Sequence, residues 1–229
     1  GTTVVRAGFG VFYGVDDVCN CGIYTRNPPN AFNTVFDSGN FEAPNFLTMD
    51  DPFPVSPAAQ FLTNKGLSPE GMDPDFRTFY YQNWNLSLQR EFPGNIVMEA
   101  TYEGKVGHGL DRSMNINQAR QGTGSVQSRR PIQPWSSIVM QKNTGNSTYH
   151  AGLFKFEKRM SDGVSILTSY AFSKMIDDGL NDSARTQRRT QDESNIALER
   201  GLSAYDTRHR LAFSSIMEIP FGTGRRFES

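Results

Sequence analysis

Apolar and polar side chains alternate in six separate blocks of roughly ten residues along this chain. A period of two is typical of a β-strand with one apolar and one polar face, whereas a helix repeats every 3.6 residues. In the second block, for example, Trp84, Leu86 and Leu88 share one side, and polar residues lie between them. The pattern predicts strands near residues 3–13, 79–91, 96–105, 148–159, 164–174 and 208–219.

The connections between these blocks alternate in length. Tight turns rich in Pro, Gly, Asn and Asp lie at 92–95, 160–163 and 220–224. Long polar stretches occupy 14–78, 106–147 and 175–207. Compact soluble domains seldom contain unstructured connections beyond about 12–15 residues, whereas outer-membrane barrels combine short periplasmic turns with long extracellular loops. We therefore predict an all-β fold, an antiparallel up-and-down transmembrane β-barrel segment with the turns at one rim and the loops at the other.

The positions of charged residues agree with a membrane wall. On the apolar parity, charges occur only near strand ends, at Arg90, Lys158 and Lys174. A cation facing lipid at the midplane costs about 2–4 kcal/mol, and about 0–1 kcal/mol near the interface. On the opposite parity, which we expect to face a polar lumen, the charged residues are Arg6, Glu99, Glu103, Lys155, Glu157, Arg210 and Glu218.

Aromatic residues collect at the long-loop ends of the predicted strands. Membrane interfaces favour such rings, because one part of the side chain is apolar and another can contact water. The pattern predicts half of an aromatic girdle, formed by Phe12, Tyr13, Phe79, Tyr80, Tyr81, Tyr102, Tyr149, Tyr170 and Phe172.

Composition narrows the classes of protein that fit. The 229 residues include 23 Lys+Arg and 24 Asp+Glu, a net charge of -1 with no long basic run, which argues against nucleic-acid binding. The chain contains no stretch of about 18 apolar residues, the length that a transmembrane helix requires. The mean hydropathy of -0.52 is compatible with a barrel, because only alternate residues face lipid.

The strand number and the chain ends point to a larger protein. Six strands cannot close a barrel of this type, since the smallest have about eight. The chain begins at Gly1 in a strand-like run and stops at Ser229 as another extended segment starts. We therefore interpret residues 1–229 as an internal piece of a longer barrel domain, with the remaining wall outside it.

Several segments together resemble one known family. They are Asn83–Asn95, Asn146–Ala151, Phe156–Arg159, Ser169–Asp178, Glu199–Ser203, Asp206–Arg210 and Pro220–Gly222. Their series resembles the C-terminal barrel region of Oar-like TonB-dependent receptors, outer-membrane proteins with a carboxypeptidase-regulatory-like N-terminal domain. The resemblance covers most of 1–15 and 79–227, whereas 14–78 carries little of it. Gly152 and Met160 replace the bulkier residues that are usual there.

The resemblance implies energised transport through a plugged barrel. However, these residues contain no plug domain, no TonB box and no N-terminal regulatory-like domain. The expected partners are outer-membrane lipid and lipopolysaccharide, the plug of the same full-length chain, TonB through regions absent here, and an unknown solute or polypeptide. We expect no nucleic-acid partner.

Candidate chemistry is sparse. Cys19 and Cys21 are too few for a zinc site, and a bridge between them would be strained, although pairing elsewhere stays open. None of the histidines, His108, His150 and His209, forms a metal-binding pair at helical spacing, and His209 is expected at the membrane interface. We assign no catalytic, cofactor-binding or metal-ligating residue, expect no enzymatic activity, and identify no specific binding residue.

Charged and proline-rich loop segments have two interpretations each. The acidic pairs at 16–17, 50–51, 177–178 and 192–193 do not fit a calcium loop and are expected to be solvated surface. The basic stretch 185–189 could contact lipopolysaccharide phosphates or pair with the acidic residues at 192–193. Segment 27–57 could fold over the barrel mouth and capture a ligand, or form a packed surface loop without one.

The sequence predicts part of a TonB-dependent receptor in the bacterial outer membrane, which supplies barrel wall and external ligand-recruiting loops for uptake or export of a bulky solute. One alternative is an outer-membrane adhesin or secretion-linked surface protein without active transport. A further alternative is a soluble β-rich carbohydrate-binding domain.

Overall fold

A computed structural model describes residues 2–14, 27, 67–178 and 190–219. These residues form a single eight-stranded sheet. Its strands are β1 (Thr3–Tyr13), β2 (Glu70–Met72), β3 (Tyr80–Phe92), β4 (Ile96–Asn115), β5 (Val139–Ser161), β6 (Val164–Asp177), β7 (Gly201–Leu202) and β8 (His209–Met217). Two short 3-10 helices lie at Gln127–Arg129 and Ile196–Glu199. No helix in the described ranges has the length and apolar composition needed to cross a membrane.

The six long strands form an up-and-down antiparallel wall in the order β1-β3-β4-β5-β6-β8. The two shortest strands pair only with the long-loop ends of the wall. β7 pairs with Ile176 and Asp177 at the end of β6, and β2 runs parallel to Val139–Gln141 of β5. The wall does not close on itself in the described part of the chain, which makes it a partial barrel. The predicted all-β fold class is confirmed.

Two tight turns connect strands at the same rim. Between β5 and β6, Asp162 (φ 51°) and Gly163 (φ 74°) form a two-residue connection. Two successive positive φ angles match the twist of a hairpin, and Asp-Gly is a favoured pair for them. Between β3 and β4, Gly94 (φ 87°) and Asn95 (φ 59°) adopt the same left-handed region. The third predicted turn, at 220–224, lies outside the described residues.

The β4–β5 hairpin is longer than the sequence predicted. β4 continues to Asn115 and β5 begins at Val139, so the predicted loop 106–147 is strand at both of its ends, over its first ten and last nine residues. A register shift after Gly107 interrupts the alternation of β4, so the pattern below it does not continue above it. Beyond the shift every second residue of β4 is buried, but one of these residues is Arg112, which hides the apolar pattern.

Smaller boundary differences concern the other strands. β6 extends to Asp177 and β8 spans only His209–Met217. In the described parts of the predicted loops 14–78 and 175–207 lie the short strands β2 and β7 respectively. Such strands of two or three residues are held by pairing with a longer neighbour, and their sequences are too short to show a period.

The apolar parity of the wall is not covered by a second layer among the described residues. Phe9 is 71% exposed, Leu86 54%, Phe154 53% and Phe213 65%. In a soluble β-sandwich these side chains would converge on a dry core between two sheets. The sheet instead presents them on an open surface.

Candidate functional site

Strand register brings the apolar residues of all six long strands to one face, which we call the apolar face. Leu86 of β3 lies opposite Ala7 of β1 and Tyr102 of β4. Phe154 of β5 lies opposite Ala100 of β4 and Tyr170 of β6. Because paired residues point to the same side of a sheet, the six separate alternations combine into one continuous apolar band.

Charge on the apolar face is confined to the two rims and is cationic only. Arg90 and Lys158 lie toward the tight-turn rim, and Lys174 lies at the long-loop rim. Excluding the part of β4 beyond the register shift after Gly107, none of the six described long strands places a carboxylate on this face. The Arg90 guanidinium carbon lies 5.3 Å from the centre of the Phe92 ring. Rim positions keep these cations in contact with headgroups and water.

The height of the apolar band matches a membrane. Arg90 follows Tyr80 by ten residues on the same face of β3. Ten residues at about 3.4 Å each span about 34 Å, or about 26 Å along the membrane normal at a tilt of about 40°. Outer-membrane barrels have an apolar band about 25 Å tall.

A band of aromatic and imidazole rings follows the long-loop rim of the apolar face. The centroids of neighbouring rings lie 5.1–6.4 Å apart, and the members are Tyr13, Tyr80, His108, Trp84, His150, Tyr102, Phe154, Tyr170, Phe172 and His209. Of the three histidines, His209 is predicted at the membrane interface, His150 near a strand end at the long-loop rim and His108 in a loop. The position of His108 and His150 on the apolar parity is the signal that could have assigned them to the same band.

Four of the predicted girdle residues belong to the other face, since Phe79 shares the parity of Tyr81 and its ring centre lies 5.8 Å from that of Tyr81. Phe12 pairs with Tyr81, and Tyr149 pairs with Lys105. Each is one residue out of phase with the apolar parity, so its ring points to the polar side of the sheet. The Lys105 ammonium lies 4.3 Å from the Tyr81 ring centre. The predicted girdle residues do lie near the long-loop rim, but only some of them lie on the apolar face.

The ring band runs diagonally across the hydrogen-bonded rows of the sheet. His108 pairs with Tyr80, whereas His150 pairs with Gly104, which lies four residues lower on β4 than His108. Phe172 lies lower again, opposite Gly152. A diagonal band becomes horizontal when strands tilt by about 35–45°, as barrel closure requires. The band therefore has the slope expected of a membrane interface on a tilted wall.

The opposite surface, which we call the polar face, carries hydrogen-bonded groups at mid-height. The Ser87 hydroxyl donates to Glu99 Oε1 at 2.8 Å, and the Thr101 hydroxyl lies 2.9 Å from Ser87 Oγ. On the β1 side, Arg6 Nη1 donates to Gln89 Oε1 at 2.7 Å. These side chains meet because their strands pair directly.

A chain of ion pairs continues along the polar face toward the tight turns. Lys155 Nζ lies 2.9 Å from Glu157 Oε2, and Arg159 bridges Glu157 and Glu91 at 3.7 and 3.9 Å. Partly exposed pairs of this kind contribute only about 0–1 kcal/mol each. They indicate a surface in contact with water. The predicted lumen residues Glu103 and Arg210 lie on the same face.

Above the ring band, loop segments and strand ends pack into a layer that we call the cap (residues 110–146 and 190–207). Arg112 is 2% exposed and donates to the Asp178 carbonyl at 2.8 Å and to Thr190 Oγ1 at 2.9 Å. Asn117 is fully buried, and its amide donates to the Ser136 carbonyl at 2.7 Å. These contacts join segments distant in sequence. The sequence analysis did not identify Arg112 or Asn117.

The acidic pair at 177–178 is not solvated, contrary to the prediction. Asp177 is 4% and Asp178 7% exposed. Asp178 accepts hydrogen bonds from the Asn146 backbone at 2.8 Å and from its side-chain amide at 3.0 Å. The pair lies where β6 leaves the wall, so its carboxylates are enclosed by the cap. The acidic pairs at 16–17 and 50–51, Cys19, Cys21, the basic stretch 185–189 and nearly all of 27–57 lie outside the described residues.

The acidic pair at 192–193 borders an open groove of the cap. The groove, about 410 Å³ in volume, lies between residues 114–121 and 191–194. Glu193 Oε1 accepts a hydrogen bond from the Asn115 backbone at 2.9 Å. Hydrogen bonds from the Ser194 hydroxyl and backbone lower the pKa of Asp192 below its usual value. The described residues contain no group of three or more His, Cys, Asp or Glu side chains that could hold a metal ion.

The described residues have the geometry of a transmembrane β-barrel wall. They form one open layer with an exposed apolar band, a polar reverse face and a rim lined by rings. The chain belongs to the outer membrane beta barrel domain family, whose model matches residues 1–229. It is therefore a protein of the outer membrane, and the alternative of a soluble carbohydrate-binding domain is wrong. The apolar face contacts lipid and the polar face lines the lumen.

Among solved structures, the chain is similar to the outer membrane transporter YddB from Escherichia coli, with 15% sequence identity and a TM-score of 0.42. The match covers 77% of this chain and 18% of that transporter. No curated protein sequence matches the chain.

Proposed function

We propose that this chain forms wall and external loops of an Oar-like TonB-dependent receptor, which moves a bulky solute or polypeptide across the outer membrane. The observation that carries the proposal is the polar face, where Glu99, Lys155 and Arg159 place charges of both signs from mid-height to the tight-turn rim. A wall of this kind supports a water-filled route. The role needs no bond to be made or broken.

A lumen with both signs of charge also suits a folded plug. Glu103 and Arg210 lie on the polar face, where Arg210 is exposed and Glu103 partly exposed, and such charges can form new ion pairs with an inserted domain. In the proposed protein, the plug of the same full-length chain fills the lumen, and TonB acts on it through regions outside these residues. The ordered series of family-like segments supports this arrangement.

The cap is the proposed region of ligand contact. Its groove between residues 114–121 and 191–194 is bordered by Arg120, Asp192 and Glu193. Mixed charge and amide groups suit a polar cargo such as a polypeptide or glycan. A cargo of this size would contact several loops before entering the lumen.

A second candidate function is surface adhesion without active transport. The observation that favours it is the rigidity of the cap, in which Arg112, Asn117 and Glu193 are fixed by hydrogen bonds. A fixed outer surface could bind a partner without any movement of cargo. The two functions differ in whether the lumen changes when TonB is active.

Cysteine labelling in living cells distinguishes these functions. Glu103→Cys places a thiol on the lumenal face of β4, and Ala100→Cys places a matched thiol on the lipid-facing side of the same strand. In the full-length protein, we expect a membrane-impermeant maleimide to modify Glu103→Cys faster in cells with functional TonB than in cells lacking it. Plug movement would expose the thiol. Ala100→Cys should remain unmodified in both strains.

Equal labelling of Glu103→Cys with and without TonB would contradict coupled transport and favour adhesion. Rapid labelling of Ala100→Cys would contradict the assignment of faces itself. The two failures are therefore distinguishable.

A further inference from the structure

The lipid-facing surface carries a cluster of three basic side chains, Lys174, His150 and His209, at its long-loop rim. Closure of the barrel does not require them. Lys174 of β6 lies directly opposite His150 of β5, and both side chains are exposed. The Lys174 ammonium makes no ion pair within the described part of the chain. In contrast, Lys155 on the lumenal face lies 2.9 Å from Glu157. Lys174 is thus a cation on the lipid side that lacks a described protein counterion.

Two tyrosine–histidine pairs flank this lysine with the same geometry. Tyr102 Oη lies 2.8 Å from His150 Nδ1, with the rings 16° from parallel. Tyr170 Oη lies 2.9 Å from His209 Nδ1, with the rings 25° from parallel. In each pair the Nδ1 contact orients the imidazole and leaves Nε2 available to a ligand. The strand register repeats this diagonal arrangement, first between β4 and β5 and then between β6 and β8.

The cluster is small enough to contact one headgroup. Directly paired residues have Cβ atoms about 4.5–5.5 Å apart, and diagonal neighbours are about 7–8 Å apart. His150 is the direct partner of Lys174. His209 pairs with Phe172, so it is the diagonal neighbour of Lys174 on the other side. The three groups therefore lie on adjacent strands within reach of a single diphosphorylated sugar.

We propose that Lys174, His150 and His209 form a binding site for the phosphate groups of lipid A in the outer leaflet. The ammonium supplies charge, and each imidazole Nε2 can supply a hydrogen bond to phosphate oxygen. His150 and His209 belong to the ring band, and its neighbouring rings Tyr102, Tyr170 and Phe172 suit the boundary between acyl chains and headgroups. This places the three groups at phosphate height. No described acidic side chain forms an ion pair with Lys174, so its charge is available to a phosphate group.

The test measures lipid binding to the full-length protein in detergent by native mass spectrometry. The probes are lipid A with two phosphates, lipid A without phosphate, and inorganic phosphate as a competitor. The unmodified protein should bind diphosphorylated lipid A, bind the dephosphorylated form at least about tenfold more weakly, and resist inorganic phosphate. Lys174→Gln should weaken binding about tenfold, as expected for loss of one charge-assisted hydrogen bond.

Control variants separate this site from general attraction to anionic lipid. Lys158→Gln removes the same charge from the same face at the opposite rim and should leave binding unchanged. Lys174→Arg retains the charge and should retain binding, so it also reports whether position 174 tolerates substitution. His150→Gln together with His209→Gln should weaken binding further.

Three results would overturn the proposal. Equal dependence of binding on Lys158 and Lys174 would indicate nonspecific attraction to anionic groups. Dephosphorylated lipid A could bind as tightly as the phosphorylated form. Inorganic phosphate could displace the lipid, which would indicate a site for the free ion. Folding of each variant is checked by its heat-dependent electrophoretic mobility, so loss of binding is not confused with loss of the barrel.

Discussion

The two faces of the wall share the same strands but have different surroundings. On the lipid-facing side, charges are cationic and occur at the rims, and the middle is apolar. On the lumenal side, Glu99 and Lys155 lie at mid-height and contact polar neighbours. Alternation alone shows that the faces differ. The positions and signs of the charges show which face contacts lipid and which contacts water.

The faces also differ in how their apolar residues are stabilised. The buried apolar side chains of the described residues are Leu67, Val97, Leu110, Met114 and Ala151. None of them belongs to the lipid-facing band. Its members remain exposed or half-buried on the isolated wall, so the hydrophobic effect acts on them through transfer into the bilayer. The membrane takes the place of a protein core.

The largest predicted contrast comes from placing an arginine on either side of β3. Leu86→Arg, on the lipid-facing side at mid-height, should destabilise the barrel by about 2–4 kcal/mol because the charge meets hydrocarbon. Asn85→Arg, one residue away on the lumenal side, should change stability by less than about 1 kcal/mol. Unfolding free energies in liposomes by urea titration measure both. Equal costs would remove the difference between the faces.

The next contrast lies within the lipid-facing side. The Trp84 indole lies across Gly104, so a Cβ at position 104 would overlap its ring, whereas the nearest side-chain atom to a Cβ at Gly152 is 3.6 Å away. Gly104→Ala should displace the indole and cost about 1–3 kcal/mol through overpacking. Gly152→Ala should cost much less. Tryptophan fluorescence and urea unfolding should show an effect only for the first variant.

A smaller effect is expected on the lumenal side. Thr101→Val keeps the side-chain shape but removes the hydroxyl that contacts Ser87 and Glu99. It should cost about 0.5–1.5 kcal/mol, the usual net value of a hydrogen bond. Arg159→Gln, which breaks only exposed pairs at 3.7 and 3.9 Å, should cost less. The reverse order in urea titrations would show that this rim is less solvated than described.

The smallest predicted effect is the pH dependence of the ion pair between Asp73 and Lys142 of the cap. The backbone N–H of Asp75 and the Lys142 ammonium, 3.0 Å away, lower the pKa of Asp73 below 3.8. The ionised carboxylate is therefore favoured in the folded protein. Its contribution to stability is present above the ordinary pKa of 3.8 and is lost as the pH falls through the lowered pKa. Asp73→Asn should speed amide hydrogen exchange in β2 slightly at pH 6 and have no effect once wild-type Asp73 is protonated.

The wall was largely predictable from the sequence because its signals are local. Each strand shows its two faces within roughly ten residues, and Asp162-Gly163 specifies a hairpin by itself. The cap was not predictable in this way. Arg112 contacts Thr190 across 78 residues of sequence, and the shift after Gly107 changes the phase of β4. Contacts between distant loops leave no period in the chain.

The candidate functional residues also differ in whether the sequence could predict them. Parity alone assigned Glu99, Glu103 and Lys155 to the lumenal face. The same parity assigns His150 to the lipid-facing rim, and it assigns His108 there as well when the alternation of β4 is continued past residue 105. Contacts of Asp178 with Asn146 could not be inferred, because they depend on how the strand ends and cap come together.

The central claim is that alternate residues of each strand contact lipid. Spin labels placed one at a time at positions 84 to 89 of β3, in the full-length protein reconstituted in liposomes, test it most directly. We predict a two-residue period, with labels at 84, 86 and 88 accessible to oxygen and labels at 85, 87 and 89 accessible to a water-soluble nickel complex. Labels at the even positions that are reached by neither reagent would place them in a dry protein core and contradict the account.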